Sequence, residues 1–248
     1  MKWLRFVWTL LRAAVHAVTG FWTIKTVFPK LPKAEQEARV QVWAGAMLRI
    51  VGIELVVQGT PPATGPVLLV ANHISWLDIL VMHASRHCRF VSKADVRDWP
   101  FVRTLSHGAG SLYIERTSRR DAHRVVTQMA DSLRAGDILA VFPEGTTGDG
   151  ITLKHFHANL IQAAIEASVP VQPVALKFID AASGATSFAP SYVDDETLVG
   201  SIWRTLTAPP IKAVVTFGQA QAPQGQTRRV WAETLREDIE RLRQTQGR

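Results

Sequence analysis

A histidine and an aspartate lie five residues apart, just after the first long apolar run of the chain. Val67–Ala71 predicts a buried strand, and Asn72-His-Ile-Ser-Trp-Leu-Asp78 follows it. In α/β folds, sites lie at the carboxyl ends of such strands. There, His73 can act as a general base near neutral pH. If Ser75 caps the next helix, Asp78 falls in its first turn, where the carboxylate can fix the tautomer of a folded-back imidazole and stabilise the imidazolium.

The same spacing also has a purely structural explanation. Ser75 and Asp78 stand three residues apart, as in a capping box, which is a common way to start a helix. Taken alone, the segment therefore favours an ordinary histidine at a strand end over a catalytic one. The catalytic interpretation needs support from the rest of the chain.

Three further segments carry groups that suit an anionic or polar substrate. Arg116 ends Gly110-Ser-Leu-Tyr-Ile-Glu-Arg116 at a predicted strand end. Its planar guanidinium can bind phosphate or carboxylate, although a surface arginine is the ordinary explanation. The loop Phe142–Gly150 holds three glycines, which let a backbone approach an anion, but a plain turn has the same composition. The two prolines of Val169–Leu176 suggest a rigid start of a strand rather than chemistry.

In order and spacing, the four segments resemble the glycerolipid acyltransferase family, whose best-known members are the 1-acylglycerol-3-phosphate acyltransferases. That family shows Asn-His-x-x-x-x-Asp, Gly-x-x-x-Ile-x-Arg, Phe-Pro-Glu-Gly-Thr and Val-Pro-x-x-Pro-Val. This chain matches all four, between about residues 50 and 180. His-x-x-x-x-Asp alone is a weak signal, but followed by Phe-Pro-Glu-Gly-Thr at this distance it is very specific.

The resemblance implies an O-acyltransferase. It would move a fatty acyl group from acyl-CoA or acyl carrier protein to the free hydroxyl of a lysolipid, first of all 1-acyl-sn-glycerol 3-phosphate. It implies that His73 is the general base and Asp78 its partner, with no acyl-enzyme, cofactor or metal. The residues implied in substrate binding are Asn72, Arg116, Glu144, Gly145, Thr146 and Thr147.

Two positions depart from the family pattern. Thr147 stands where many members have arginine, and His157 stands where lysine is common after a phenylalanine. Both changes remove fixed positive charge from the expected headgroup pocket. Some acyltransferases of ornithine-lipid synthesis have a similar Thr-Thr continuation, so lyso-ornithine lipid is the alternative acceptor.

Composition bears on the other classes of function. The chain has 248 residues, 47% of them hydrophobic, which suits a packed core. Its single thiol, Cys88, excludes an internal disulfide and a cysteine-based metal site. The net charge of +7 suits nucleic acid or an anionic membrane. A nucleic-acid-binding protein would interleave aromatic and basic residues on a strand or recognition helix, whereas the aromatics here cluster at the amino terminus. A non-catalytic lipid-binding protein would not need His73 and Asp78.

Strands and helices alternate along most of the chain, which predicts an α/β fold with a largely parallel sheet flanked by helices. The predicted strands are Ile53–Val57, Val67–Ala71, Arg89–Lys93, Ser111–Glu115, Ile138–Phe142, Val171–Phe178 and Ile211–Phe217. The predicted helices are Pro32–Ile50, Ser75–Ser85, Trp99–His107, Ser118–Ala135, Ala158–Ser168 and Thr227–Gln246. Residues 183–207 show no clear pattern.

The amino-terminal segment has the pattern of a helix that lies on a membrane. Six polar residues at spacings of three and four form one stripe, and the rest of the circumference is apolar. They are Lys2, Arg5, Thr9, Arg12, His16 and Thr19. A spanning helix needs roughly 20 apolar residues, and the longest uncharged run, Ala13–Ile24, is shorter. The alternative is a helix docked on the core.

We therefore expect residues 1–32 to form an amphipathic membrane-associating segment and residues 33–248 to form the acyltransferase domain. The expected location is the cytoplasmic face of the inner or plasma membrane. The expected partners are membrane lipids, including the lysolipid acceptor, and a coenzyme A or acyl carrier protein thioester, with no nucleic acid.

Overall fold

One sheet forms the centre of the protein. The structure, a computed structural model, describes residues 2–93, 100–114, 119–193 and 196–245. The strands in these ranges are β1 (Ile53–Gly59), β2 (Val67–Ala71), β3 (Arg89–Lys93), β4 (Leu112–Ile114), β5 (Ile138–Val141), β6 (Val171–Asp180) and β7 (Ile211–Phe217). Their order is β1-β7-β6-β2-β5-β3-β4. Of the described pairs, β6 and β7 are antiparallel and the others are parallel.

Helices cover both faces of this sheet. Those in the described ranges are α1 (Lys2–Thr26), α2 (Lys33–Ile50), α3 (Leu77–Ser85), α4 (Pro100–Gly108), α5 (Arg119–Arg134), α6 (Gln162–Ala167), α7 (Leu198–Thr207) and α8 (Arg228–Thr245). Short 3-10 turns cover Phe28–Lys30 and Ala158–Leu160. The core on one face includes residues of α5, α6 and α8, and the core on the other includes residues of α2 and α3. The predicted α/β fold with a largely parallel sheet is confirmed.

The central strand β2 shows why its sequence is uninterruptedly apolar. Leu68 and Val70 belong to the core under α5, α6 and α8. Val67, Leu69 and Ala71 belong to the core under α2 and α3. A strand buried on both faces has no solvent side, so polar residues do not alternate with apolar ones. The segment that follows β2 therefore leaves the sheet at its centre, between two helical layers.

The sequence predicted most elements closely but missed two features. The predicted single helix Ala158–Ser168 is instead a 3-10 turn followed by α6, which ends at Ala167. A 3-10 turn is a frequent start of a helix, and its apolar spacing resembles that of an α-helix. Helix α7, Leu198–Thr207, was not predicted. Its sequence is rich in valine, isoleucine, threonine and glycine, which have modest intrinsic helix propensity.

Helix α1 docks on the core by one side and leaves an apolar side uncovered. His16, from the polar stripe, faces α2: its Nε2 lies 3.0 Å from the Trp43 carbonyl oxygen. The Trp43 indole donates in turn to the His16 carbonyl at 3.1 Å. The exposed large apolar residues of α1 are Trp3, Leu4, Val7, Trp8, Leu10, Leu11, Val15, Val18 and Trp22. Among the helices described, none has the length and apolarity that crossing a membrane requires.

A buried carboxylate ties α2 to the sheet. Asp137 accepts hydrogen bonds from Lys33 of α2, Arg89 of β3 and Ser132 of α5. Burial raises the pKa of Asp137, but the hydrogen bonds from Lys33 and Ser132 and the charge of Arg89 outweigh it and hold the pKa below its ordinary value. The cluster therefore stabilises the fold above the pKa of this carboxyl in the unfolded chain. That stabilisation is lost as the pH falls through the lower pKa of the folded state.

We predict that Asp137→Asn lowers the free energy of unfolding at neutral pH by about 1.5–3 kcal/mol, because charge-assisted hydrogen bonds are lost. Urea unfolding near neutral pH and near pH 3 measures the change, and the difference from wild type should shrink at the acidic pH. The control is Asp131→Asn, at an exposed pair with Arg134, which should cost less than about 1 kcal/mol. An equal loss at both pH values would contradict this account.

Candidate active site

The His73 imidazole and the Asp78 carboxylate meet at the carboxyl end of β2. His73 Nδ1 lies 2.8 Å from Asp78 Oδ2. The same oxygen accepts the backbone N–H groups of Ile74 at 2.6 Å and Ser75 at 2.9 Å. The Asp78 side chain is fully buried, whereas 19% of the His73 side chain is exposed. The loop therefore folds the ring back onto the carboxylate, as the five-residue spacing suggested.

Both explanations of the Ser75–Asp78 spacing hold at once. Asp78 reaches back to the Ser75 N–H at 2.9 Å, which is half of a capping box. Ser75 Oγ accepts the N–H of Leu77 at 3.2 Å, which satisfies another donor of the helix start. The oxygen that accepts the Ser75 N–H is also the oxygen that binds His73. The helix start therefore orients the carboxylate for the histidine.

The hydrogen bond to Asp78 determines the tautomer of His73. An ionised carboxylate only accepts hydrogen bonds, so the proton of the neutral ring belongs on Nδ1. Nε2 is then left without a proton and can accept one from a substrate. The charge of Asp78, at the first turn of α3, is favoured by the helix dipole. The arrangement suits general-base chemistry.

Phe142 packs flat against the His73 ring. The two ring centroids are 4.1 Å apart and the planes differ by 6°. Phe142 follows β5, which pairs with β2, so adjacent strand ends bring the rings together. Phe142 also meets Phe90 of β3 at 5.4 Å. The stack fixes the plane of the imidazole, whereas Asp78 fixes its rotation.

Glu144 links the loop that carries His73 to the loop that carries Lys154 by accepting hydrogen bonds from their backbone N–H groups. Its Oε1 accepts the His73 N–H at 2.8 Å, and its Oε2 accepts the Lys154 N–H at 2.9 Å. Gly148 adds a third link, because its N–H donates to the His73 carbonyl at 2.8 Å. Burial raises the pKa of Glu144, and the two hydrogen bonds to its carboxylate oppose that rise. Glu144 therefore positions His73, and its contact with substrate stays a prediction.

Asn72 also uses its side chain to join strands. It is buried; its Nδ2 donates to the Leu176 carbonyl at 3.0 Å, and its Oδ1 accepts the Leu176 N–H at 2.7 Å. This pair of bonds links the end of β2 to β6. Asn72 therefore fixes the start of the loop that carries His73. No local pattern predicts this contact, because 104 residues separate the partners.

The other candidate substrate-binding residues of the glycine-containing loop lie in different environments. Gly145 has φ +72°, which L side chains rarely adopt, and a Cβ there would lie 3.2 Å from the His157 ring. Thr146 is exposed. The Thr147 hydroxyl donates to the Tyr192 carbonyl. Arg116 lies outside the described residues. Substrate contacts of all four stay predictions.

An apolar cavity of about 320 Å³ lies between α1, α2, α3 and α4. Phe90 lines it, and Phe90 is the ring that meets Phe142 beside His73. His83 also lines it, and burial, helped by the charge of His87, lowers the pKa of His83 to about 3. The His83 ring is therefore neutral near physiological pH. The cavity is therefore connected to His73 through Phe90 and Phe142, whose rings contact each other. Its volume is that of a small-molecule pocket.

Comparisons with known proteins identify the family of this chain. A family model described as Acyltransferase matches residues 49–177. The 1-acyl-sn-glycerol-3-phosphate acyltransferase of Neisseria gonorrhoeae is 34% identical over 189 residues, which are 75% of this chain and 72% of that protein. The lyso-ornithine lipid O-acyltransferase of Pseudomonas aeruginosa is 37% identical over 164 residues, which are 66% of this chain and 62% of that protein.

A solved structure has the same fold. It is the crystal structure of the 1-acyl-sn-glycerophosphate acyltransferase from Thermotoga maritima, with a TM-score of 0.74. The match covers 100% of this chain and 98% of that one at 17% sequence identity. At this identity, the likeness concerns the fold alone.

We predict that Glu144→Gln makes the backbone more mobile in the loop that carries His73 and in the loop that carries Lys154. Glutamine has one acceptor oxygen, so one of the two backbone N–H groups loses its partner, at a cost of about 1–3 kcal/mol. Hydrogen–deuterium exchange with mass spectrometry should show faster exchange in peptides that contain His73 and Lys154. Glu166→Gln, at an exposed position, is the control and should leave these peptides unchanged. Unaltered exchange at both loops in Glu144→Gln would exclude the positioning function of Glu144.

Proposed function

Because the chain belongs to the acyltransferase family, we propose that it moves a fatty acyl group from a thioester to the free hydroxyl of a lysolipid. The observation that carries this proposal is the hydrogen bond of 2.8 Å between His73 Nδ1 and Asp78 Oδ2. It leaves Nε2 of a partly exposed ring ready to accept a proton. The thioester is that of coenzyme A or of acyl carrier protein.

In the proposed mechanism, His73 Nε2 takes the proton of the acceptor hydroxyl while that oxygen attacks the thioester carbonyl carbon. The tetrahedral intermediate then collapses, the carbon–sulfur bond breaks, and the imidazolium gives its proton to the departing thiolate. The buried Asp78 stabilises the imidazolium between the two proton transfers. No acyl-enzyme is needed, because a thioester is already activated.

The apolar cavity between α1, α2, α3 and α4 suits the hydrocarbon chain of a substrate. Its walls are predominantly apolar, and they include Val40, Leu80 and Leu105. Phe90 connects the cavity to the ring stack beside His73. A chain in this cavity would leave its carbonyl or glycerol end near the catalytic pair. Burial of the methylene groups would supply binding energy of about 0.8 kcal/mol each.

We assign residues 1–32 to membrane association and residues 33–248 to the catalytic domain. No acidic residue precedes Glu35, whereas α1 carries Lys2, Arg5, Arg12 and Lys25. The uncovered side of α1 is apolar, and arginines on such a helix can reach lipid headgroups. The proposed location is the cytoplasmic face of the inner or plasma membrane, because the lysolipid lies in the membrane and the thioester is cytoplasmic.

Two acceptors are supported by separate observations. The first is 1-acyl-sn-glycerol 3-phosphate, which gives phosphatidic acid; the Neisseria relative is named for this substrate. The second is lyso-ornithine lipid, for which the Pseudomonas relative is named. The second is favoured by Thr147 and His157, which stand where the family pattern often has fixed cations.

We predict that His73→Ala lowers kcat by about 10²–10⁴-fold, as the loss of a general base does. Asp78→Asn should also be severe, because an amide cannot stabilise the imidazolium. Transfer of a radiolabelled acyl group from its thioester to a lysolipid measures both. The control is His123→Ala, at an exposed position of α5. Near-full turnover in a folded His73→Ala protein, judged by circular dichroism, would refute the mechanism.

A second prediction concerns the acceptor. His157 is exposed and lies beside Gly145, so His157→Lys adds a fixed cation without removing a buried contact. The ratio of kcat/KM for 1-acyl-sn-glycerol 3-phosphate to that for lyso-ornithine lipid should rise roughly 10-fold, as one charged hydrogen bond allows. His123→Lys adds the same charge at an exposed position of α5 and should leave the ratio unchanged. A wild-type protein that already strongly prefers 1-acyl-sn-glycerol 3-phosphate would contradict the argument that the headgroup pocket lacks fixed positive charge.

A further inference from the structure

Helix α7 presents an uncharged apolar face to its surroundings. Val199 is 75% exposed, Trp203 41% and Leu198 36%. Val199 and Trp203 are four residues apart and share one side of the helix. The one charged residue of α7, Arg204, is engaged elsewhere, since it pairs with Glu196. Exposed aromatic and branched side chains on one short helix are the composition of a contact surface rather than of a solvated one.

This face continues the uncovered side of α1. The Phe6 ring of α1 contacts the Trp203 ring at a centroid distance of 4.4 Å. Trp3 and Val7, the neighbours of Phe6 on α1, are also exposed. The Phe6–Trp203 contact therefore joins the exposed apolar residues of α1 to those of α7.

The other side of α7 is hydrogen-bonded to the catalytic segment. The Ser201 hydroxyl, which is buried, accepts the indole N–H of Trp76 at 3.3 Å. Trp76 lies between His73 and Asp78 in the sequence. Arg204 Nε donates to the Ala189 carbonyl at 3.0 Å. It thereby binds α7 to the loop that precedes it.

The loop before α7 is hydrogen-bonded both to the loop that carries His73 and to the glycine-containing loop. The Tyr192 N–H donates to the Ile74 carbonyl at 3.1 Å, directly after His73. The Tyr192 carbonyl accepts the Thr147 hydroxyl from the glycine-containing loop. Helix α7 thus has an apolar outer face, and its inner side is joined to the His73 loop through Trp76. The segment before α7 is joined to the glycine-containing loop through Tyr192.

We propose that α7 is a second lipid-contacting helix, which seats the catalytic loops on the surface of a phospholipid bilayer. The inference rests on the proposed function, because a lysolipid acceptor must reach His73 from a membrane. The bilayer is the occupant that fits, because the face of α7 is continuous with that of α1, and α1 carries basic and no acidic residues. Contact of α7 with lipid fixes the height of the catalytic loops above the membrane.

A fluorescent probe at one position tests the contact. Cys88 is fully buried and burial raises the pKa of its thiol, so a new exposed cysteine can be labelled selectively. Val199→Cys, Leu11→Cys and Val230→Cys are each labelled with an environment-sensitive dye and mixed with vesicles of phosphatidylglycerol and phosphatidylethanolamine. Val230 is 55% exposed on α8, which packs on the opposite face of the sheet, and is the matched control.

The expected result is a blue shift and an intensity gain at positions 199 and 11, and none at position 230. A response at position 11 alone overturns the contact of α7 and leaves the proposed function intact. The absence of a fluorescence change at all three positions overturns the membrane association in the proposed function, and the inference with it. A signal at position 199 that grows with protein concentration without vesicles identifies a second copy as the occupant and also overturns the inference.

Kinetics separates lipid contact from a structural function of α7. The double variant Val199→Ser with Trp203→Ser is assayed with a lysolipid in vesicles and with a short-chain acceptor below its critical micelle concentration. The ratio of kcat/KM for the vesicle acceptor to that for the dispersed acceptor should fall roughly 10-fold or more, because two apolar side chains that the bilayer would bury are lost. Val230→Ser should leave the ratio unchanged. An unchanged ratio in the double variant, or equal losses on both acceptors, overturns the inference.

Discussion

A single buried carboxylate oxygen, Asp78 Oδ2, determines where the His73 ring lies. It accepts the backbone N–H groups of Ile74 and Ser75 and the Nδ1–H of His73, all within 2.9 Å. The two backbone bonds hold the carboxylate in place for the histidine, because they join it to the loop between β2 and α3. The same contacts satisfy two buried backbone donors of that loop. The conformation of the loop after β2 and the orientation of the His73 ring therefore both depend on this oxygen.

The parallel sheet turns this local geometry into a site. Strands β2 and β5 are neighbours and point the same way, so the loops that follow them leave the sheet at one edge. Phe142 stacks on His73 from the second loop, and Glu144 binds the backbones of both. Helix α7 and the loop before it add a third support, through Trp76 and Tyr192 respectively. An apolar surface and a proton-accepting nitrogen are thereby held by one connected set of hydrogen bonds.

The sequence predicted those parts of the molecule that depend on local pattern. The bounds of Val67–Ala71 followed from its burial on both faces, and the partnership of His73 with Asp78 followed from a spacing that a strand–loop–helix unit constrains. The positioning bonds of Asn72 and Glu144 were beyond reach of the sequence. Leu176 lies 104 residues from Asn72, and His73 lies 71 residues from Glu144. Lys154 is only 10 residues from Glu144, but it lies in an irregular loop. Helix α7 was missed because tertiary packing, not propensity, stabilises it.

The central claim is that Asp78 keeps the neutral His73 ring protonated on Nδ1 and leaves Nε2 free. Nitrogen-15 NMR of protein labelled at histidine tests it directly, with the His73 signals assigned by their loss in His73→Gln. The account predicts that neutral His73 shows a protonated Nδ1 and an unprotonated Nε2, and that Asp78→Asn abolishes this preference. A neutral His73 ring with its proton on Nε2 would contradict the account, because that nitrogen could not accept the proton of an acceptor hydroxyl.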